Sequence, residues 1–165
     1  MSAANYKTPQ EHLSEIKKLG NISAAVTQIK ALLTDFPNFI PGWIELGLIY
    51  RRLGDRSSSL NTFSKALKLD PNHKKTKLAL SIEQLHFNQF EQCRKNIQEL
   101  LEIDPNHVWA MVRLGELERK QNNRNKALKA FKKALELSPE NIWAHINVGI
   151  ELRDAGKFTE AEEQL

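Results

Sequence analysis

An all-α solenoid, a stack of repeated helix pairs, is the fold class this sequence predicts. Three observations carry the prediction. Pro37, Pro71, Pro105 and Pro139 stand 34 residues apart. Sliding the chain by the same 34 residues aligns whole columns of like residues. Within each period the apolar residues recur at helical spacing. A single globular core has no reason to punctuate its chain at a fixed interval, whereas copies of one supersecondary unit must each stop at the same place.

The columns are specific. Leu33, Leu67, Leu101 and Leu135 form one, and Ile29, Phe63, Ile97, Phe131 and Leu165 another, all large and apolar. Ala25, Ser59, Cys93, Ala127 and Ala161 are small. Gly20, Gly54, Asn88, Asn122 and Gly156 are residue types that tolerate a left-handed backbone, so a tight turn is expected at each. These columns divide the chain into units 6–39, 40–73, 74–107 and 108–141 and a partial unit 142–165, a single array.

Each unit reads as helix, turn, helix, link. The opening helix starts at Thr8-Pro9-Gln10-Glu11, an N-cap, a proline at the first helical position and a glutamate placed to close a capping box. In the second unit Trp43, Leu46, Gly47 and Tyr50 make one helical stripe, Gly54-Asp55 interrupts it, and Leu60, Phe63 and Leu67 resume it. Asp70-Pro71 ends that helix, because the residue before a proline is pushed out of the α region. Second helices are expected to begin near Asn21, Asp55, Asn88, Asn123 and Gly156. Segments this short are marginal alone, so packing between units must stabilise them.

Composition excludes several classes. Of 165 residues, 41% are apolar and 27% charged, as in folded proteins that live in water. The net charge is +4, but 24 basic and 20 acidic residues are interleaved, which disfavours nucleic acid and allows an acidic partner. Cys93 is the one cysteine; its column marks it as a small buried side chain, and no internal disulfide can form. MSAANYKTPQ lacks the apolar core of a signal peptide, and no apolar run approaches the ~20 residues of a membrane span. A cytoplasmic protein is expected.

The residues that set the period resemble the tetratricopeptide repeat family. Trp43, Leu46, Gly47, Tyr50, Ser59, Phe63, Ala66 and Pro71 follow its signature, as do Leu114, Gly115, Ala127, Phe131, Ala134 and Pro139. The fourth unit departs at Met111 and Glu118, the third at Lys77, Ser81 and Gln84, and the first at Pro9, His12 and Leu13. The resemblance implies antiparallel helix pairs in a right-handed superhelix whose first helices line a concave face that binds a protein or peptide. It brings no catalytic activity. The lysine and asparagine set by which some relatives grip a C-terminal carboxylate is not reproduced: Arg113 and Asn147 occupy relevant columns, but Glu11, Glu45 and Ala79 stand in the others.

The first helices carry more apolar residues than one packing stripe uses. Ile44, Leu48, Leu78, Ile82, Val112, Ile146 and Ile150 form a second stripe, which Leu85 extends and which Trp109 and Trp143 flank. Either neighbouring helices cover this stripe or it is the floor of a binding groove. Lys17, Lys18, Arg51, Arg52, Arg119, Lys120 and Arg153 gather one turn further on, either as a basic rim that favours an acidic-flanked partner or as solvated helix ends.

Catalytic chemistry is not apparent. There is no phosphate loop, dinucleotide fingerprint or HExxH pair. His12, His73, His86, His107 and His145 are scattered, with no zinc-ligand spacing, so no cofactor or metal is expected. Carboxylate pairs such as Glu116 with Glu118 read as ordinary helical surface. The sequence therefore predicts a non-catalytic scaffold that binds a protein segment. Two rivals stay open: a regulatory domain of an enzyme, such as a transferase, whose catalytic part lies beyond Leu165, and an RNA-binding repeat. The helix broken off at Glu160-Ala161-Glu162-Glu163-Gln164-Leu165 is expected to mean that the chain is the N-terminal part of a longer protein, or that this end pairs with a second copy.

Overall fold

The structure is a computed structural model and describes residues 8–163. Expectations that rest on Tyr6, the leader, Gln164 and Leu165 lie outside the described residues. Among the described residues all regular structure is helical: α1 Pro9–Ile16, α2 Ile22–Asp35, α3 Ile40–Arg52, α4 Arg56–Leu69, α5 Lys74–His86, α6 Phe90–Ile103, α7 Val108–Lys120, α8 Arg124–Leu137, α9 Ile142–Asp154 and α10 Phe158–Glu162. These are the expected helix pairs, and the second helices begin within two residues of the anticipated places. The residues fall into two compact bodies, one ending at Thr76 and one starting at Lys77.

The turn inside each pair is set by backbone chemistry. Gly54, Asn88, Asn122 and Gly156 have positive φ (77°, 56°, 62° and 77°). At the first of these the amide of Asp55 donates to the Tyr50 carbonyl at 2.9 Å and that of Gly54 to the Arg51 carbonyl at 3.0 Å. This is the Schellman closure, which satisfies the last carbonyls of the helix. Gln89 to Gln84, Asn123 to Glu118 and Lys157 to Leu152 repeat the longer bond at 2.8, 2.8 and 2.9 Å. Gly20 breaks the pattern and has no positive φ. Its helix, α1, stops at Ile16, so Gly20 lies too far past the helix end to serve as the left-handed residue of that closure.

Several helix starts are capped by side chains, although α3, α6, α8 and α10 are not. Thr8 Oγ1 accepts from the Glu11 amide at 3.2 Å while Glu11 Oε2 accepts from the Thr8 amide at 2.7 Å, the expected capping box. The link histidines, which the sequence left without a role, are caps as well. His73 Nδ1 accepts from the Thr76 amide and His107 Nδ1 from the Ala110 amide, both at 3.2 Å. Asn141 Oδ1 does the same for Ala144 at 2.9 Å.

Within each pair the helices touch through the small and glycine columns. Ser59 Oγ donates to the Gly47 carbonyl at 3.0 Å, and Cys93 Sγ to the Ser81 carbonyl at 3.3 Å, one period on. In the first body Leu13, Ile16, Ile29, Leu32, Leu46 and Ile49 form a buried core. In the second, one core gathers Leu85, Cys93, Ile97, Leu100 and Leu117, and another Val112, Phe131, Val148 and Leu152. Burying side chains of this size is worth about 1.5–3 kcal/mol each.

Candidate functional site

The second apolar stripe of the first helices splits on folding. In the first body Ile44 is half-buried and Leu48 is 38% exposed. Both line a groove of 570 Å³ between α1 and α3, with Gln10, Ser14 and Lys17 on its far wall. Lys17 Nζ sits 2.9 Å from Glu45 Oε2, so this basic residue is paired across the two helices.

In the second body Trp109, Trp143 and Ile146 stay 43%, 47% and 37% exposed, while Leu78, Ile82 and Ile150 are half-buried. Two expected contact residues are not available. Val112 is 0% and Leu85 7% exposed, each built into a core with α8 or α6. The stripe and the packing seam share an edge, and at these two positions the neighbouring helices cover the side chain.

Trp143 is held at one edge only. Its Nε1 donates to Glu116 Oε1 on α7 at 3.0 Å, which fixes the ring and leaves its remainder facing water. Glu116 also accepts from Arg113 Nη1. One turn on, Arg119 Nη2 donates to Asn147 Oδ1 at 2.5 Å, and Asn147 Nδ2 to the Trp143 carbonyl at 2.7 Å. Arg119 Nε lies 3.6 Å from Glu151 Oε1. The Arg113 and Asn147 that fall in carboxylate-gripping columns are thus engaged by the chain's own side chains.

The basic rim divides likewise. Arg51 lies 5.0 Å from the centroid of Phe63 and Arg119 5.3 Å from that of Phe131, each a cation on an aromatic face inside its own pair. These two also brace the fold and stay half-exposed. Lys18, Arg52 and Lys120 are exposed, and exposed Arg153 reaches Asp154 at 3.4 Å.

Glu116 and Glu118 are buried, not surface carboxylates. Arg94 Nη1 donates to Glu118 Oε1 at 2.5 Å and Asn123 Nδ2 to Glu118 Oε2 at 2.9 Å. Burial pushes the Glu118 carboxyl up, but these bonds and the Arg94 charge outweigh it and hold it below the ordinary value. Glu151 goes the other way: burial raises it, against the pull of Arg119 and Arg124. A signal for Glu116 did exist, since it is an acid in the column of Leu48, Ile82 and Ile150. Glu118 carried one too, an acid in the packing column of Tyr50, and Asn147 stood in a carboxylate-gripping column.

The Cys93 thiol is pushed up to about 12 by burial, with Arg94 pulling against it. A thiol so placed is a poor nucleophile at neutral pH. Among the described residues no group of three His, Cys, Asp or Glu side chains could hold a metal ion, and no helix is long and apolar enough to cross a membrane.

The tetratricopeptide repeat family model matches residues 40–73 and 108–141. No curated protein matches the chain in sequence. Solved structures with a similar fold include MamA from Desulfovibrio magneticus RS-1, residues 41 to the end, at TM-score 0.82 and 22% identity, covering 94% of this chain and 88% of that one. A tetratricopeptide repeat protein from Parabacteroides merdae ATCC 43184 superposes at TM-score 0.85 and 16% identity over 98% of this chain and 64% of that one. A further MamA structure gives 0.80 and 18%, over 94% and 85%. At such identities the likeness is one of fold.

Proposed function

As a protein of tetratricopeptide repeats, the chain is, we propose, a non-catalytic scaffold that binds a segment of another protein on the exposed face of its first helices. One observation carries the reading: Trp109 and Trp143, equivalent positions one period apart, remain nearly half exposed although each stands on a helix packed into a core. Large aromatic side chains left partly in water are the anchors that dominate protein interfaces. Ile146 and Ile150 continue this surface, and Lys120 and Arg153 flank it with cations. The partner it suits is an apolar segment, helical or extended, with acidic flanks that would speed encounter and bias choice. In the first body the groove at Ile44 and Leu48, with Lys17 on its wall, offers the same chemistry. A cytoplasmic setting suits this reading.

Selecting binders from a random peptide library with the full chain tests it. The selected peptides should be apolar with acidic flanks. They should lose roughly tenfold or more in affinity when Trp109 or Trp143 is replaced by Ala, while the unfolding midpoint hardly moves. Binders indifferent to both substitutions would remove the proposal. Binding that weakens only in step with stability would assign the tryptophans to packing.

A further inference from the structure

The first body has a second cavity, on the other side of α3 from the groove. It is an open pocket of 340 Å³ between α2, α3 and α4. Two cations stand over two aromatic rings in its wall. Lys65 Nζ is 5.0 Å from the Trp43 centroid and Lys30 Nζ 5.6 Å from that of Tyr50. The floor is apolar, formed by the buried Leu33 and Leu46. Exposed Asn61 adds an amide donor at the rim.

Neither ammonium is paired with a carboxylate among the described residues. Asp55 feels the charge of Lys30 but is engaged in capping α4, where it accepts from the Ser58 amide at 3.0 Å. Trp43 is fixed by its own bond, Nε1 donating to the Pro37 carbonyl at 2.7 Å, so the ring is a rigid wall and its donor is spent.

The repeat supplies an internal comparison. One period on, Trp43, Tyr50, Thr62 and Lys65 become Lys77, Gln84, Asn96 and Glu99. There the side chains satisfy one another: Lys77 is paired with Glu99, and Asn96 Nδ2 donates to Gln84 Oε1 at 2.8 Å. Two periods on, the equivalent of Lys65 is Lys133, which is paired with Glu136 at 2.7 Å. At this cavity, between the first and second units, aromatic walls meet two cations that no carboxylate among the described residues neutralises.

From this juxtaposition we infer that the cavity lined by Lys30, Trp43, Tyr50 and Lys65 binds a small organic carboxylate with an apolar or aromatic body. The two ammoniums draw the carboxylate in, and charge-assisted bonds to it are the strong ones. The body rests on Leu33 and Leu46 between the rings, and the volume suits a small molecule. This site does not depend on the exposed tryptophans of the second body, so each can fail without the other.

The test follows the indole N–H resonances of the three tryptophans in the full chain, titrated with 3-phenylpropionate, with its neutral amide and with inorganic phosphate. The carboxylate should move the Trp43 resonance saturably and leave Trp109 and Trp143 in place. The amide and phosphate should each bind about tenfold more weakly or less, since one lacks the charge and the other the body. Lys30→Gln and Lys65→Gln should each weaken 3-phenylpropionate by about tenfold. Lys132→Gln, at the position equivalent to Lys30 on α8, should change nothing. The inference is overturned if Trp43 shows no saturable shift, if all three indoles move alike, if the amide or phosphate binds as well as the carboxylate, or if the lysine substitutions have no effect.

Discussion

A Cβ placed on Gly115 would stand 2.5 Å from Cε1 of Phe131, and one on Gly47 would stand 2.6 Å from Cε1 of Phe63. In these two pairs the helices meet where the first has no side chain and the second has its largest. In the third pair the same two columns hold Ser81 and Ile97. As the residue on the first helix grows, its neighbour on the second shrinks.

Gly115→Ala therefore sets two effects against each other. Helix propensity gains about 1 kcal/mol. Overpacking against a fully buried ring costs about 1–3 kcal/mol, and the ring, enclosed on all sides, has nowhere to go. A net loss of stability is expected in denaturant unfolding. Combining Gly115→Ser with Phe131→Ile, which copies the third pair, should recover much of the loss from Gly115→Ser alone.

Phe63→Ala should cost roughly 3–5 kcal/mol by leaving a cavity in a closed site. Phe63 is 0% exposed, so little relaxation can fill the space. A loss under about 1 kcal/mol would show that the pair does not pack on this ring.

His107→Ala should cost about 1 kcal/mol, because the Ala110 amide loses the acceptor that caps α7. His107→Asn should cost much less, since Asn141 performs the same task at the start of α9. Equal costs for the two substitutions would remove capping as the role of this residue.

Stability should respond to acid in opposite senses at two buried carboxylates. The folded Glu118 lies below its ordinary value, so its contribution is complete above the ordinary carboxylate range and is lost as the pH falls through the folded value. Glu151 lies above its ordinary value, so acid relieves its burial, and stability from this group rises as the pH falls toward the ordinary value. In unfolding free energies measured across the acid range, Glu118→Gln should flatten part of the decline and Glu151→Gln should steepen it. Arg94→Ala, which strips Glu118 of its cation, should cost roughly 3 kcal/mol at neutral pH.

The period, the helix pairs and most of the turns could be read directly, because each copy had to repeat the same packing and the same left-handed residue. Gly20 shows the limit of that logic: a residue in the right column takes another conformation when its helix stops early. Leu85 and Val112 look like their neighbours on a helical wheel, and only the position of the adjoining helix decides that they are buried. The burial of Glu151 was hidden for the opposite reason. A charged side chain reads as surface until the arginine that accompanies it inward, from a different helix, is located.

The binding claim is tested most directly by titrating a library-selected peptide into the full chain and following the same three indole resonances. Binding on the exposed first-helix face predicts saturable shifts at Trp109 and Trp143, with Trp43 unmoved by a peptide confined to the second body, and loss of the shifts in Trp143→Ala. Saturation that leaves both Trp109 and Trp143 unchanged, with perturbations gathered on α6 and α8 instead, would contradict it.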